Sequence, residues 1–454
     1  MSAQTGDHEP PWRGRRLHFV GVGGAGMSGY ARAARELGAQ VTGSDAAGSP
    51  YLQALVADGV LAAVSGHGAE NLPAGEDVEV VYSSAVPDDN VELAEARRRG
   101  LATHPRAWLL AELTRLRRTI AVSGTHGKTT TAAMTVHALR AAGLDPGWLV
   151  GGLPGDGLAN AHWSAGEWLV VEADESDRSM LSLQVCVAVL TSVELDHHAT
   201  FSSLAGLRDA FASFLALARR AIVVYDRPEL LALAPGAGGA EVVAYAPEGY
   251  ELTPGGARFA WRGEEVSLAV PGAHNVANAL AALEAARLAG APPRVAADAL
   301  ASFTGAGRRF ELLGPTPSGA LLYDDYAHHP TEIRATLAAA RTLEHERLIA
   351  VFQPHLYSRT KLLAREFGQA LAAADGAIVL DVYPARERAS DYPGVSGLLI
   401  AEATADASAG RPVYWLPQFA DAEPVLRRVL SAGDLCLMMG AGDIDSLARR
   451  LVAP

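Results

Sequence analysis

One loop constrains this chain more than any other feature. The apolar run Ile120-Ala121-Val122-Ser123 reads as a strand, Gly124-Thr125-His126-Gly127-Lys128-Thr129-Thr130-Thr131 as a tight turn, and the small residues after it as a helix. That order presents backbone N–H groups, an ammonium and a hydroxyl to a nucleotide phosphate and its Mg²⁺. The strict G-x-x-x-x-G-K-[ST] pattern demands glycine at position 122, where this chain has Val122, so the loop is a shorter variant. Lysine occurs only at Lys128 and Lys361 among 38 basic residues. A chain that uses arginine almost everywhere else, yet keeps lysine in this loop, needs a compact ammonium there.

Such a loop belongs to α/β folds, and the length of 454 residues calls for two to four domains, with three expected. Hydrophobic residues at 49% and charged residues at 20% exclude wholesale disorder. No run approaches about 18 uninterrupted apolar residues, and the first residues lack an apolar signal core, so no membrane insertion and a cytoplasmic location are expected. Asp and Glu outnumber Lys and Arg by 51 to 38, a net charge of −13, which speaks against a nucleic-acid partner. Cys186 and Cys436 lie in apolar strand-like runs and are expected to be buried, inert thiols.

Residues 16–106 alternate short apolar runs with helix-like segments, the pattern of a parallel sheet flanked by helices. A second α/β layer opens at the Lys128 loop and continues through WLVVEAD, VCVAVLTSV and AIVVYD. The Pro- and Gly-rich stretch 232–272 reads as hairpins and loops. A third unit begins near GAGRRFELLG, with strands expected in ALLYDDYAHHP, RLIAVFQPH, GAIVLDVY, RPVYWLP and DLCLMMGAG.

Several clusters carry chemistry. Gly21-Val22-Gly23-Gly24-Ala25-Gly26 fits G-x-G-x-x-G between a strand and a helix, with Asp45 ending the next strand. Its amides can cradle a diphosphate, with Asp45 on a ribose hydroxyl if the ligand is a dinucleotide; a ligand-free tight turn is the alternative. Glu172-Ala173-Asp174-Glu175-Ser176-Asp177 should place at least one carboxylate at a strand end near the Lys128 loop. Glu194-Leu195-Asp196-His197-His198 follows another strand and offers an imidazole as ligand or catalyst. Asn275 and Asn278, one helical turn apart, could read a base edge or cap a helix. Arg308-Arg309 could meet a γ-phosphate or form a solvated hinge. Tyr323-Asp324-Asp325-Tyr326-Ala327-His328-His329 concentrates acids and imidazoles after a strand.

These segments together resemble the Mur ligase family, the likeness being carried by GVGGAGMSG, SSAVPDDN, GTHGKTTT, VEADESD, ELDHH, HNVANA, GAGRRFE, DDYAHHPTE, FQPHLYSRT and GAGD. The resemblance implies a Rossmann-like UDP-binding domain over 1–107, a central P-loop ATPase domain with a mostly parallel sheet over 108–305, and a Rossmann-like amino-acid-binding domain over 306–454. It implies ATP, UDP-N-acetylmuramate and L-alanine as substrates, with Mg²⁺, and an acyl-phosphate route to an amide. Another Mur-type ligase with a different amino acid or peptide is the alternative within the family.

Residue by residue, the resemblance implies catalytic roles for Lys128, Glu172, His197 and His328. ATP falls to Gly124, Thr125, His126, Gly127, Lys128, Thr129 and Thr130, with Asn275 and Asn278 at adenine, Arg309 at the γ-phosphate and Asp325 at the ribose. Thr129, Glu172 and His197 are the implied metal ligands. Gly21, Gly23, Gly24, Ala25, Gly26, Asp45, Ser83 and Ser84 are implied at the UDP-sugar, and His328 and Arg359 at the amino acid. Three positions depart from the family pattern: Ala273 and Leu356 stand where lysine and arginine are usual, and Ser192 where asparagine is. Outside the family, a NAD-dependent dehydrogenase leaves the Lys128 loop unexplained, and a nucleotide switch leaves the 323–329 cluster unexplained.

Overall fold

The computed structural model describes residues 10–196, 200–234 and 239–452. They form two compact units, one from Met1–Glu194, Leu204–Ala244 and Glu284–Pro292, the other from Leu195–Ser203, Tyr245–Leu283 and Pro293–Pro454.

The first unit contains two sheets. Strands β1 Arg16–Val20, β2 Gln40–Asp45, β3 Ala63–Ser65, β4 Val78–Tyr82 and β5 Ala102–Pro105 lie in the order 3-2-1-4-5, all parallel. The chain leaves β1 in one direction and β4 in the other, which opens a crevice at their C-terminal ends. Gly21 follows β1 and Ser83 follows β4, and the Ser83 amide donates to the Val20 carbonyl at 3.1 Å.

The second sheet holds β6 Arg118–Ser123, β7 Gly147–Leu149, β8 Ala161–His162, β9 Trp168–Glu172, β10 Val185–Leu190, β11 Ala218–Tyr225 and β12 Glu241–Tyr245, in the order 12-11-10-6-9-7-8. Strand β6 lies between β10 and β9 and is parallel to both. The Lys128 loop, the end of β9 and the segment after β10 therefore emerge at one edge. These three strands read as nearly continuous Val, Ile, Leu and Ala runs because both of their faces are buried.

In the second unit, β13 Glu251–Thr253, β14 Gly256–Trp261 and β15 Glu264–Leu268 form an antiparallel meander. A six-stranded sheet then runs β16 Glu311–Pro315, β17 Leu321–Asp325, β18 Arg347–Phe352, β19 Gly376–Leu380, β20 Val413–Leu416 and β21 Asp434–Met439, in the order 16-17-21-18-19-20. Alternation along its strands feeds two cores. Leu348, Ala350, Phe352, Leu435, Leu437 and Met439 pack with Ile333, Leu337 and Phe367; Ile349, Val351, Cys436 and Met438 pack with Leu426, Ile444 and Leu447. The loops after β17, β18 and β21 share the C-terminal edge.

Two expectations change. Cys436 is buried, whereas Cys186 is only partly so. The stretch 311–315, expected only as the opening of the third unit, is an antiparallel edge strand against β17.

Candidate active site

Backbone geometry comes first at the Lys128 loop. Gly124 has φ +132°, and a Cβ there would lie 2.2 Å from Thr191 Oγ1 and 2.9 Å from the Ser192 nitrogen, so only glycine fits. Gly127, at φ +82°, turns the chain into the helix Lys128–Ala141. The loop is latched to the segment after β10: the His126 amide donates to Ser192 Oγ at 2.9 Å, the Thr125 hydroxyl donates to the Glu194 carbonyl at 2.9 Å, and His126 Nε2 lies 2.9 Å from Glu194 Oε2. Thr125 thus turns its side chain to its own scaffold, while Thr130 is buried in the helix's first turn.

Lys128 Nζ donates to the Gly124 carbonyl at 2.6 Å and to Glu175 Oε1 at 3.0 Å. Burial works against its charge, but Glu175, Asp174 and Glu172 outweigh that and raise its pKa, so the ammonium is kept charged. The Thr129 hydroxyl donates to Glu172 at 3.0 Å, and the Gly151 amide donates to the same carboxylate at 2.8 Å. Of the acidic run, Glu172 therefore faces the loop threonine and Glu175 the loop lysine, a division no local pattern announces.

At the first glycine-rich loop, two of the groups expected at a ligand also bond to each other. The Gly23 amide, assigned to a diphosphate, donates to Asp45 Oδ2 at 2.7 Å, and the Ser49 hydroxyl donates to the Gly23 carbonyl at 2.7 Å. Asp45 braces the loop through Oδ2, and its Oδ1 accepts from the Ala47 amide at 3.2 Å. Gly24 caps the helix Ala25–Glu36 without any side-chain cap, leaving the amides of Ala25 and Gly26 at its start. Ser83 Oγ accepts from the Ala85 amide at 3.2 Å and lies beside Gly21, while Ser84 is exposed.

In the second unit, Asn275 and Asn278 form a short relay at the start of the helix Ala273–Ala289. The Asn278 amide donates to Asn275 Oδ1 at 3.1 Å, and the Asn275 amide donates to the Pro271 carbonyl at 2.7 Å. Asp325 accepts from the amides of Phe310 at 2.8 Å and Ala327 at 2.7 Å, and burial pushes its pKa up to about 6. Of the arginine pair, Arg308 is structural, donating to Asp324 at 3.0 Å and to the Gly440 carbonyl at 2.8 Å, whereas Arg309 lies over the Tyr326 ring.

His328 Nδ1 lies 2.9 Å from the Tyr326 carbonyl, which can only accept, so Nδ1 carries the proton and Nε2 the lone pair. Burial holds its pKa down near 4, and that of neighbouring His355 near 3. Arg359 is paired within the protein: Nη2 meets Asp196 Oδ1 at 2.9 Å and Nε meets the same oxygen at 3.1 Å, with both side chains buried. Asp196 and Glu175 are the partners that sequence reasoning missed. His197 lies outside the described residues.

Three family models match the chain in order: Mur ligase family, catalytic domain, over residues 16–118; Mur ligase middle domain over 122–286; and Mur ligase, glutamate ligase domain, over 308–442. The chain is 44% identical to the UDP-N-acetylmuramate–L-alanine ligase of Rubrobacter xylanophilus, over 96% of this chain and 99% of that one. It is 43% identical to the ligase of that name from Mycolicibacterium smegmatis, over 99% and 96%. Among solved structures, the UDP-N-acetylmuramate-alanine ligase of Thermotoga maritima superposes with a TM-score of 0.81 at 29% identity, over 96% of this chain and 98% of that one. A murein peptide ligase from Psychrobacter arcticus gives 0.72 at 26% identity, over 96% and 98%.

Proposed function

The chain belongs to the Mur ligase family, and from that premise we infer that it joins L-alanine to the carboxylate of UDP-N-acetylmuramate at the expense of ATP. It is an ADP-forming acid–amino-acid ligase of peptidoglycan precursor synthesis. The observation that carries this reading is the pairing of Lys128 and Thr129 with Glu175 and Glu172 at one sheet edge, in a chain matched end to end by alanine ligases.

The chemistry proceeds in two steps. A carboxylate oxygen of the sugar attacks the γ-phosphorus and ADP leaves, giving an acyl phosphate. The neutral amine of L-alanine then attacks the acyl carbon, and the tetrahedral intermediate expels phosphate to leave the amide. Lys128 and the amides of the 124–130 loop offset the charge that builds on the phosphoryl oxygens. His328, neutral and with its Nε2 lone pair available, is assigned as a hydrogen-bond acceptor that orients the alanine amine, whose ammonium gives its proton to solvent before attack. Arg309 is assigned to the γ-phosphate, Asp325 to the ribose, and Asn275 with Asn278 to adenine.

The donor set of Thr129 hydroxyl and Glu172 carboxylate is hard oxygen, which suits Mg²⁺. Those two residues, with His197, would hold the ion, which when bound would screen the phosphate charges. The UDP-sugar is assigned to the loop 21–26, with Ser83 and Ser84 at the neighbouring strand end. Division into domains at 107/108 and 305/306 is part of the same proposal. Among the described residues no helix is long and apolar enough to cross a membrane, and we place the enzyme in the cytoplasm, with ATP. Phosphate release that needs ATP, UDP-N-acetylmuramate and L-alanine together, and that dipeptides do not support, tests the reading against both peptide ligases and nucleotide switches.

A further inference from the structure

Arg106, at the start of the helix Arg106–Arg115, lies between the acidic loop after β9 and the first glycine-rich loop. Its Nε donates to Asp177 Oδ2 at 2.6 Å and its Nη2 to Asp174 Oδ2 at 2.9 Å. Both aspartates are held in turn: Asp174 Oδ1 accepts from the Ser176 amide at 2.9 Å and Asp177 Oδ1 from the Ser179 amide at 3.0 Å. Glu175, between them, holds Lys128 at 2.9 Å. Arg106 is thus fixed to the same loop that positions the lysine of the ATP site.

The third nitrogen faces elsewhere. Nη1 has no hydrogen-bond partner among the described residues, and a Cβ added at Gly26 would stand 3.1 Å from it. Gly26 therefore lacks a side chain for a reason beyond helix packing, since any larger residue would press on a guanidinium that two aspartates hold in place. A guanidinium with two nitrogens engaged and the third turned to a glycine-rich loop is preorganised for an anionic oxygen there.

We infer that Arg106 is a substrate-binding and positioning residue: Nη1 donates to an anionic oxygen of the nucleotide-sugar at the 21–26 loop, while Nε and Nη2 register that substrate to the loop holding Lys128. The inference rests on the reading of 21–26 as the UDP-sugar site. Sequence offers no sign of it, since Arg106 lies in no glycine-rich or acidic motif.

Calorimetric titration of the full chain with UDP-N-acetylmuramate, and separately with ATP and Mg²⁺, tests it in wild type, Arg106→Ala and Arg106→Lys, with melting curves alongside. Loss of a charge-assisted contact predicts a Kd for the nucleotide-sugar about tenfold or more weaker in Arg106→Ala, with a smaller change for ATP. Arg106→Lys, which keeps a counter-charge for both aspartates and so protects folding, should fall between, because one ammonium cannot serve three separated acceptors. Unchanged nucleotide-sugar affinity in Arg106→Lys and Arg106→Ala overturns the inference, as does an equal loss for both ligands, which marks a purely structural role. Wild-type protein that does not bind the nucleotide-sugar overturns the reading of the loop and the inference with it.

Discussion

Arg359 and Asp196, 163 residues apart in the chain, form a buried pair in which Nη2 reaches both carboxylate oxygens, at 2.9 and 3.1 Å. The pair changes what the loop after β18 can do. A guanidinium already committed to a carboxylate orients the segment carrying Asp196, and its Nη1 is further engaged with His355 at 3.3 Å.

Arg359→Ala should therefore act on stability first. Removing one partner leaves Asp196 buried without its counter-charge, a loss of about 3 to 5 kcal/mol by the usual behaviour of such pairs. A melting temperature that falls by several degrees, and that Asp196→Asn in the same chain partly restores, checks this. An unchanged melting temperature counts against the pair as a structural tie.

Leu356 stands where the family usually has arginine, and it precedes the helix Tyr357–Leu371 with φ +72°. With Arg359 committed, the missing fork should leave the KM for L-alanine high. Leu356→Arg is expected to lower it with little change in the KM for ATP, because two parallel charge-assisted hydrogen bonds, each worth about 1.5 to 3 kcal/mol, share one rigid fork. Steady-state kinetics with each substrate varied in turn checks this.

Lys128→Ala should abolish turnover, by about 100-fold or more, through loss of a preorganised charge. It should also destabilise the protein, because Glu175 is 1% exposed and loses its cation. Adding Glu175→Gln should restore melting temperature but not turnover. That split, measured by calorimetry and phosphate release, separates the lysine's charge pairing from its catalytic part.

Much of this was legible in the sequence because parallel sheets alternate apolar strands with helices, and glycine-rich turns mark strand ends. The Lys128 loop, the β9 end at Glu172 and the five strands expected after residue 305 all follow from that local grammar. What local grammar cannot carry is which distant groups pair. Nothing in VEADESD says that Glu172 takes Thr129 and Glu175 takes Lys128, and nothing in ELDHH says that Asp196 will find Arg359. The same holds for Asp45, whose 2.7 Å contact with the Gly23 amide no local pattern announces.

Acid should weaken the second unit. Burial holds His274 and His328 near 4 and His355 near 3, against an ordinary 6.5. Between those values the unfolded chain binds more protons than the folded one, so stability falls as pH drops from about 6.5 to 4. Asp324 and Asp325, raised to about 6 from 3.8, act in the opposite sense, their contribution being full below 3.8 and lost as pH rises through 6. Three histidines against two aspartates leave a net acid loss. His274→Asn should make the fall in unfolding free energy over that window shallower, by at most about 1.4 kcal/mol per pH unit, as measured by denaturant titration. An unaltered slope would show that His274 is not held neutral.

The central claim is an acyl-phosphate ligation that needs three substrates at once. Phosphate release from ATP, measured with UDP-N-acetylmuramate and each of L-alanine, glycine and L-serine, tests it most directly. The account predicts release only when ATP, the nucleotide-sugar and an amino acid are all present, fastest with L-alanine, and matched by amide formed. Release at the same rate without the nucleotide-sugar, or without any amino acid, would contradict it.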